Sequence, residues 1–429
     1  MPSTSKSQFH GEASGFDIKV SYNDRSTVIN FINDKLAYSF SNVFLRDSST
    51  SEKSIDPSSG QKLFTTVQIM HCKPSKVAIL DKDTINIQWS DGDESNYSRD
   101  FLETSATVDN RVKSKSLEKH VTLWNHRGMD LGKFPTKELT FDYKEYLEQN
   151  KTLYDALVEV NKFGVAFIKN VPEKEGTVKA LGERIGKYLR MTFYGETWNV
   201  KSAPNAELKN IAYTDKFIPF HQDLLYYESP PGLQLLHFIK NSATGGDSSF
   251  VDGYAAARHV KDTDPEAFLA LTTVPINFQY KNGDYSYHLS RFMVVEDETI
   301  LASHIYSERD SFKEINYAPP FQAPFDFGIS SDVDSIAGDN SAKESGDRHL
   351  FNDFLRGMKL FEEYINAPEN QLKFKIPEGT CVIFDNRRVL HARDNFDPQS
   401  GERWLQGCYV DKEAYLSQSR VLKEKFGKK

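Results

Sequence analysis

The stretch FIPFHQDLLYYESPPG, residues 217–232, sets His221 and Asp223 two positions apart among aromatic residues. In an extended strand, residues i and i+2 point to the same face. An imidazole and a carboxylate paired in this way need one more histidine to complete a three-ligand face. FDNRRVLHARD supplies His391 at the end of an apolar run. Two histidines and one carboxylate leave three positions open on an octahedral ion, the ligand pattern of non-haem Fe(II) oxygenases. His-x-Asp alone also occurs by chance, and a lone histidine is more often solvated or hydrogen-bonded. The order of motifs carries the reading: HQD, then TGGDS, then VLHAR, then an arginine twelve positions after His391. Arg403 sits where a guanidinium could hold the far carboxylate of a metal-chelated co-substrate through two hydrogen bonds. Its ordinary alternative is an exposed salt bridge.

A second set of residues is aromatic. MTFYGETWNV offers Tyr194 and Trp198, NIAYTD offers Tyr213, and GCYVD offers Tyr409. Aromatic residues make up 13% of the chain, and most are core by default. These four flank the HQD and Arg403 motifs. Electron-rich ring faces around a pocket hold quaternary ammonium groups.

The rest of the chain must position these residues. Its 429 residues, 38% hydrophobic and 27% charged, describe a globular protein of two domains. A net charge of −8, spread along the chain, argues against a nucleic-acid or membrane-surface partner. No apolar run reaches the roughly 18 residues of a membrane helix. Three scattered cysteines, Cys72, Cys381 and Cys408, make neither a disulfide framework nor a four-thiol zinc site. The N-terminus lacks an apolar signal core and carries acids before any arginine, so a cytoplasmic protein is expected, with a mitochondrial one as the alternative.

Residues 1–14 read as a disordered tail and 15–102 as a small β-rich domain. FDIKVSY, TVINF, KLAYSFSNVFL, KVAIL and TINIQW serve as its strands. Residues 103–137 read as a polar linker. The domain from 138 to 429 opens with a helix over YKEYLEQNKTLYDALVEVNKFG, a buried strand VAFIKNV and an amphipathic helix EKEGTVKALGERIGKYL. Many short strands follow, from GLQLLHFI to WLQGCYV, which together read as a closed or double-sheet β core. Residues 329–347 read as a mobile polar insertion before a helix at 348–366.

From about Asn42 onward the chain resembles the γ-butyrobetaine and trimethyllysine dioxygenase branch of the taurine dioxygenase-like Fe(II)/2-oxoglutarate enzymes. NVFLRDS, FGVAFIKNVP, TFYGETW, NIAYT, HQD, PPGLQLLHFIK, TGGDSSFVDG, VIFDNRRVLHAR and LQGCY carry the resemblance. It implies a mainly β fold with flanking helices: a double-stranded β-helix (jelly-roll) core behind the N-terminal domain, assembled as a homodimer. It implies His221, Asp223 and His391 as iron ligands, and Arg403 and Ser248 as 2-oxoglutarate contacts. Tyr194, Trp198, Tyr213 and Tyr409 would form a trimethylammonium cage, with Asn210 orienting the substrate.

The implied reaction consumes O2 and 2-oxoglutarate, with ascorbate a reductant to test, and hydroxylates γ-butyrobetaine to L-carnitine. Asn210 favours that substrate over trimethyllysine, because trimethyllysine enzymes tend to carry an acid there. Trimethyllysine, another quaternary amine, and a non-catalytic binding role are the rival readings. Two departures stand out. LRDSSTSEKS has no thiol where zinc-binding relatives carry cysteines, so no structural zinc is expected. INYAPPFQAPF also lacks the asparagine pair that approaches the substrate carboxylate in animal relatives.

Overall fold

The structure, a computed structural model, describes residues 9–107, 110, 121–125, 137–201, 214–297, 312–326 and 346–427. Its contacts divide the chain into two units, Met1–Ser116 with Ala302–Ile305, and Leu117–Leu301 with Tyr306–Lys429.

The first unit holds a four-stranded antiparallel sheet of Gly11–Gly15, Ile18–Tyr22, Ser26–Phe31 and Leu36–Ser41. A three-stranded sheet of Pro74–Asp81, Thr84–Trp89 and Glu94–Ser98 completes it. Alternation in STVINF and TINIQW turns Ile29, Phe31, Ile85, Ile87 and Trp89 into one core.

Several expectations need correction. Residues 11–14 of the expected tail belong to an edge strand, Gly11–Gly15, paired to Ile18–Tyr22. GEASG has no β-branched residue to announce it; a tight turn with positive φ at Phe16 and Asp17 brings it back onto the sheet. NVFLRD is a helix, Asn42–Asp47, that buries Leu45 and Arg46. The expected linker also overlaps structured chain. Helix Arg99–Ser105 runs into it, and Trp124 is buried, with its indole N–H on the Phe163 carbonyl at 2.6 Å. Nearly all of the expected insertion lies outside the described residues; helix Gly346–Asn366 begins at its end.

The LRDSSTSEKS stretch wraps one buried carboxylate. Ser49 and Ser54 hydroxyls donate to Asp93 at 2.7 and 3.2 Å, and Ser51 donates to the same group. Arg46 lies 3.5 Å from Asp93, donates to Ser54 at 2.7 Å and binds Asp91 at 2.9 Å.

The second unit is built around two facing sheets, with three two-stranded sheets beside them. The larger runs in the order Thr197–Lys201, Arg403–Val410, Leu233–Asn241, Thr380–Asp385, Val165–Lys169, Thr140–Asp142. The smaller runs Ile218–His221, Val389–Arg393, Ser248–Asp252, Leu372–Phe374. This is the mainly β, jelly-roll architecture. Leu233 and Leu235 face outward into a core shared with helices Asn150–Phe163, Thr177–Gly186 and Lys412–Phe426. Gln234, Leu236 and Phe238 face inward and line a cavity between the sheets.

The helix expected at 143–163 is two, Tyr143–Glu148 and Asn150–Phe163, because Gln149 is extended (φ −110°, ψ 119°). Helices Gly253–Thr263, Pro265–Leu271 and Lys412–Phe426 interrupt and follow the strands without having been expected. Asp252 caps the first of these through the Tyr254 N–H and also pairs with Arg388 at 2.7 Å, both side chains fully buried. That pair fixes the entrance of the strand that carries His391.

Candidate active site

His221 is the last residue of strand Ile218–His221 and lies directly across from His391 on Val389–Arg393. Their ring centroids are 4.2 Å apart. Asp223 falls in the turn that follows, with one carboxylate oxygen, Oδ1, 3.4 Å from His221 Nε2. One ligand atom from each of the three lies within 4.8 Å of the others, the one such group among the described residues.

The surroundings fix each group. His221 Nδ1 is 2.8 Å from the Pro219 carbonyl, so an N–H there leaves Nε2 with its lone pair free. The Tyr409 hydroxyl donates to Asp223 Oδ2 at 2.6 Å, which leaves Oδ1 for a metal. The Asn386 side chain clamps the Asp223 backbone, accepting from its N–H at 2.9 Å and donating to its carbonyl at 3.0 Å. Leu224, next in the turn, holds a left-handed φ of 59°, a conformation costing a leucine on the order of 1 kcal/mol. Burial and the neighbouring His221 push the His391 imidazole down to about 3, so it stays neutral. Burial alone would raise the Asp223 carboxyl. Contact with His221, the nearby His391 and the Tyr409 hydroxyl outweigh this and hold it well below the usual carboxylate range. Two imidazoles and a carboxylate are a donor set that fits Fe(II), and His391 Nδ1 is buried with no hydrogen-bond partner among the described residues.

Arg403 also lines the cavity, buried, with Nε lacking any hydrogen-bond partner among the described residues. Burial first, and then Arg393 beside it, push this guanidinium down to about 9, so it remains a cation at neutral pH. A buried cation of this kind calls for an anion. Gly246 makes room for it: at φ 72° a Cβ would approach Arg403 Nε to 3.5 Å and Phe396 Cβ to 3.2 Å. Ser248 and Arg393 line the same cavity. Arg393 donates to the carbonyls of Thr214 and Lys216, tying that loop to the smaller sheet.

Tyr194, Trp198 and Tyr409 also line the cavity. Trp198 stacks on Tyr409 with centroids 4.0 Å apart, and Tyr194 packs on Phe193 at 4.1 Å. A Cβ on Gly407 would come within 2.4 Å of the Trp198 ring, so LQGCY needs its glycine for this stack. Together these rings make up an aromatic part of the cavity wall. Asn210 and Tyr213 lie outside the described residues.

Other lining residues went unread in the sequence. Gln234, Tyr226, Pro320 and Phe321 are among them. Gln234 is a lone amide within the apolar run GLQLLHFI, which is a legible signal. Arg393 stands two residues from His391, the same i, i+2 relation that joins His221 and Asp223. In INYAPPFQAPF the stretch turns Pro320 and Phe321 to the cavity. Asn316 is committed elsewhere, accepting from Arg387 at 2.7 Å and donating to the Phe292 carbonyl at 2.7 Å.

Residues 128–409 match the model of the taurine catabolism dioxygenase TauD, TfdA family, and residues 18–103 match that of the gamma-butyrobetaine hydroxylase-like N-terminal domain. A probable oxidoreductase, AIM17, of Saccharomyces cerevisiae is 35% identical, over 96% of this chain and 92% of its own. Dioxygenase str8 of Strobilurus tenacellus is 32% identical, over 89% and 84%. The gamma-butyrobetaine dioxygenase of a Pseudomonas species is 29% identical, over 89% and 90%. The chain therefore belongs to the TauD/TfdA family and is an Fe(II)- and 2-oxoglutarate-dependent dioxygenase.

Proposed function

We propose that the enzyme hydroxylates a small trimethylammonium carboxylate, with γ-butyrobetaine as the substrate and L-carnitine as the product. The observation that carries this reading is the aromatic wall of Tyr194, Trp198 and Tyr409 in the same cavity as His221, Asp223 and His391. The chain's likeness to a gamma-butyrobetaine dioxygenase along most of its length supports it.

In this reading His221, Asp223 and His391 hold the iron, and Arg403 with Ser248 holds the far carboxylate of 2-oxoglutarate. Iron with bound 2-oxoglutarate supplies oxygen activation and C–H hydroxylation, and the co-substrate leaves as succinate and CO2. Everything else is positioning. The rings take the cationic head against their faces, each good contact contributing up to ~2 kcal/mol when desolvated. Leu236, Phe238, Phe250 and Leu405 keep water from the cavity. Held this way, one substrate carbon stays beside the metal, which is the orientation term of the rate.

A neutral isostere with a quaternary carbon in place of nitrogen tests the reading. It should inhibit far less well than the cation of the same shape, and Trp198→Leu should narrow the gap. Equal inhibition of the wild type by both compounds would remove the cationic head group from the substrate.

A further inference from the structure

The residue between the two ligands of the HQD motif is itself a link. Gln222 is fully buried, and both ends of its side-chain amide are in use. Its Nε2 donates to the Asn386 carbonyl at 2.7 Å, and its Oε1 accepts from the Tyr317 N–H at 3.1 Å. Its own backbone N–H donates to the Tyr317 carbonyl at 3.0 Å. The glutamine side chain thus gives Tyr317, itself buried, the acceptor that a neighbouring strand would otherwise supply.

Tyr317 leads straight into the cavity wall. The tight turn Pro319–Phe321 follows it, and Pro320 and Phe321 line the same cavity as His221, Asp223 and His391. Phe321 meets the Tyr226 ring edge-on, with centroids 5.4 Å apart. This turn hangs between two sets of anchors. Before it, the Ile315 and Asn316 N–H groups donate to the Arg387 and Met293 carbonyls at 2.8 Å each, and Tyr317 pairs with Gln222. After it, Gln322 bridges to Phe278, and the Ala323 N–H donates to the Asn277 carbonyl at 2.7 Å. Of these contacts, the one with Gln222 joins the wall to the turn that carries His221 and Asp223.

We propose that Gln222 is a positioning residue for the hydroxylation. It fixes the Pro320–Phe321 wall against the His221–Asp223 turn, so that a substrate resting on that wall stays in register with the metal. An amide does this because it offers a donor and an acceptor at once, one to each neighbouring segment. The metal ligands have supports of their own: His221 has the Pro219 carbonyl, and Asp223 has Asn386 and Tyr409. Loss of Gln222 therefore misplaces the substrate and spares the metal. The proposal rests on the γ-butyrobetaine reading only for the substrate used in its test.

The test compares the full-length, iron-loaded wild type with Gln222→Met, in which methionine keeps an unbranched side chain of similar length and removes the hydrogen bonds. With γ-butyrobetaine and 2-oxoglutarate, Gln222→Met should form at least about threefold more succinate than hydroxylated amine, where the wild type forms equal amounts. Its KM for 2-oxoglutarate and its resistance to an iron chelator should stay within about twofold of wild type. Amides of residues 315–323 should exchange hydrogen at least about tenfold faster, while those of Val389–Arg393 keep their rates. Equal amounts of the two products, or iron lost in step with the coupling, would overturn the proposal. If Gln222→Met does not fold, two other measurements decide. In the wild type the Tyr317 amide should be protected as strongly as those of Val389–Arg393, and Phe321→Ala should uncouple succinate from product with iron retained; failure of either overturns the proposal. If the wild type leaves γ-butyrobetaine unconverted, the substrate reading falls, and hydrogen exchange alone decides for or against Gln222.

Discussion

The hydroxyl of Tyr409 donates a 2.6 Å hydrogen bond to Asp223 Oδ2, joining a ring of the aromatic wall to a metal-ligating carboxylate 186 residues earlier in the chain. Burial and the charge on Asp223 hold this phenol well above its ordinary pKa, so it stays protonated and remains a donor. With Oδ2 occupied, the carboxylate offers the metal a single oxygen in a fixed direction.

Tyr409→Phe keeps the ring stacked on Trp198 and removes only that hydrogen bond. Iron should be lost to a competing chelator at about tenfold lower concentration, the low end of the range for losing such a partner. KM for the quaternary amine should move less, since the ring face remains. A change confined to substrate KM would show that the hydroxyl has no bearing on the metal.

Arg403→Leu should raise KM for 2-oxoglutarate by at least about tenfold, because a buried anion loses its charged partner. KM for the amine should change far less. Equal effects on both would make Arg403 structural. The experiment is sharpened by Arg403 Nε, which has no hydrogen-bond partner among the described residues.

In the N-terminal unit, Asp93→Ala leaves Arg46 buried without one of its acids, and Ser49, Ser51 and Ser54 without their shared acceptor. Removing one partner of a buried ion pair costs about 3 kcal/mol or more. Urea unfolding should show that loss. A strong chelator should leave the unfolding of this unit unchanged, and a chelator-induced drop equal to that of the mutation would mean that a metal sits there.

His237 gives a prediction for pH. It is fully buried on the helix-facing side of the larger sheet, with no hydrogen-bond partner on either nitrogen among the described residues, and burial pushes its imidazole down to about 4. Between pH 6.5 and 4 the unfolded chain takes up a proton that the folded chain refuses. Stability present above pH 6.5 is therefore lost as the pH falls toward 4. His237→Leu should lose less stability than the wild type between pH 7 and pH 5, as read by thermal unfolding. Parallel curves for the two proteins would contradict the assignment.

The metal-ligand motifs were legible because the chemistry restricts them to few residue types, and HQD and VLHAR name those types at short range. The aromatic residues were legible as types, while their mutual stacking was not. Trp198 and Tyr409 meet only because strands Thr197–Lys201 and Arg403–Val410 pair across some two hundred residues. The Asn386 clamp on Asp223 spans a similar separation and leaves no local trace. The helices at 253–271 were hidden by their setting: GYAAARHVKD follows directly on the strand motif SSFVD, and the Asp252 cap that ends the strand also reads as turn chemistry.

The most direct measurement of the central claim is the fate of isotopically labelled oxygen gas supplied with Fe(II), 2-oxoglutarate and γ-butyrobetaine. The account predicts succinate and a hydroxylated amine in equal amounts, with one labelled atom in each, and neither product from Asp223→Ala. Succinate formed without any labelled amine, or near-normal turnover by Asp223→Ala, would contradict it.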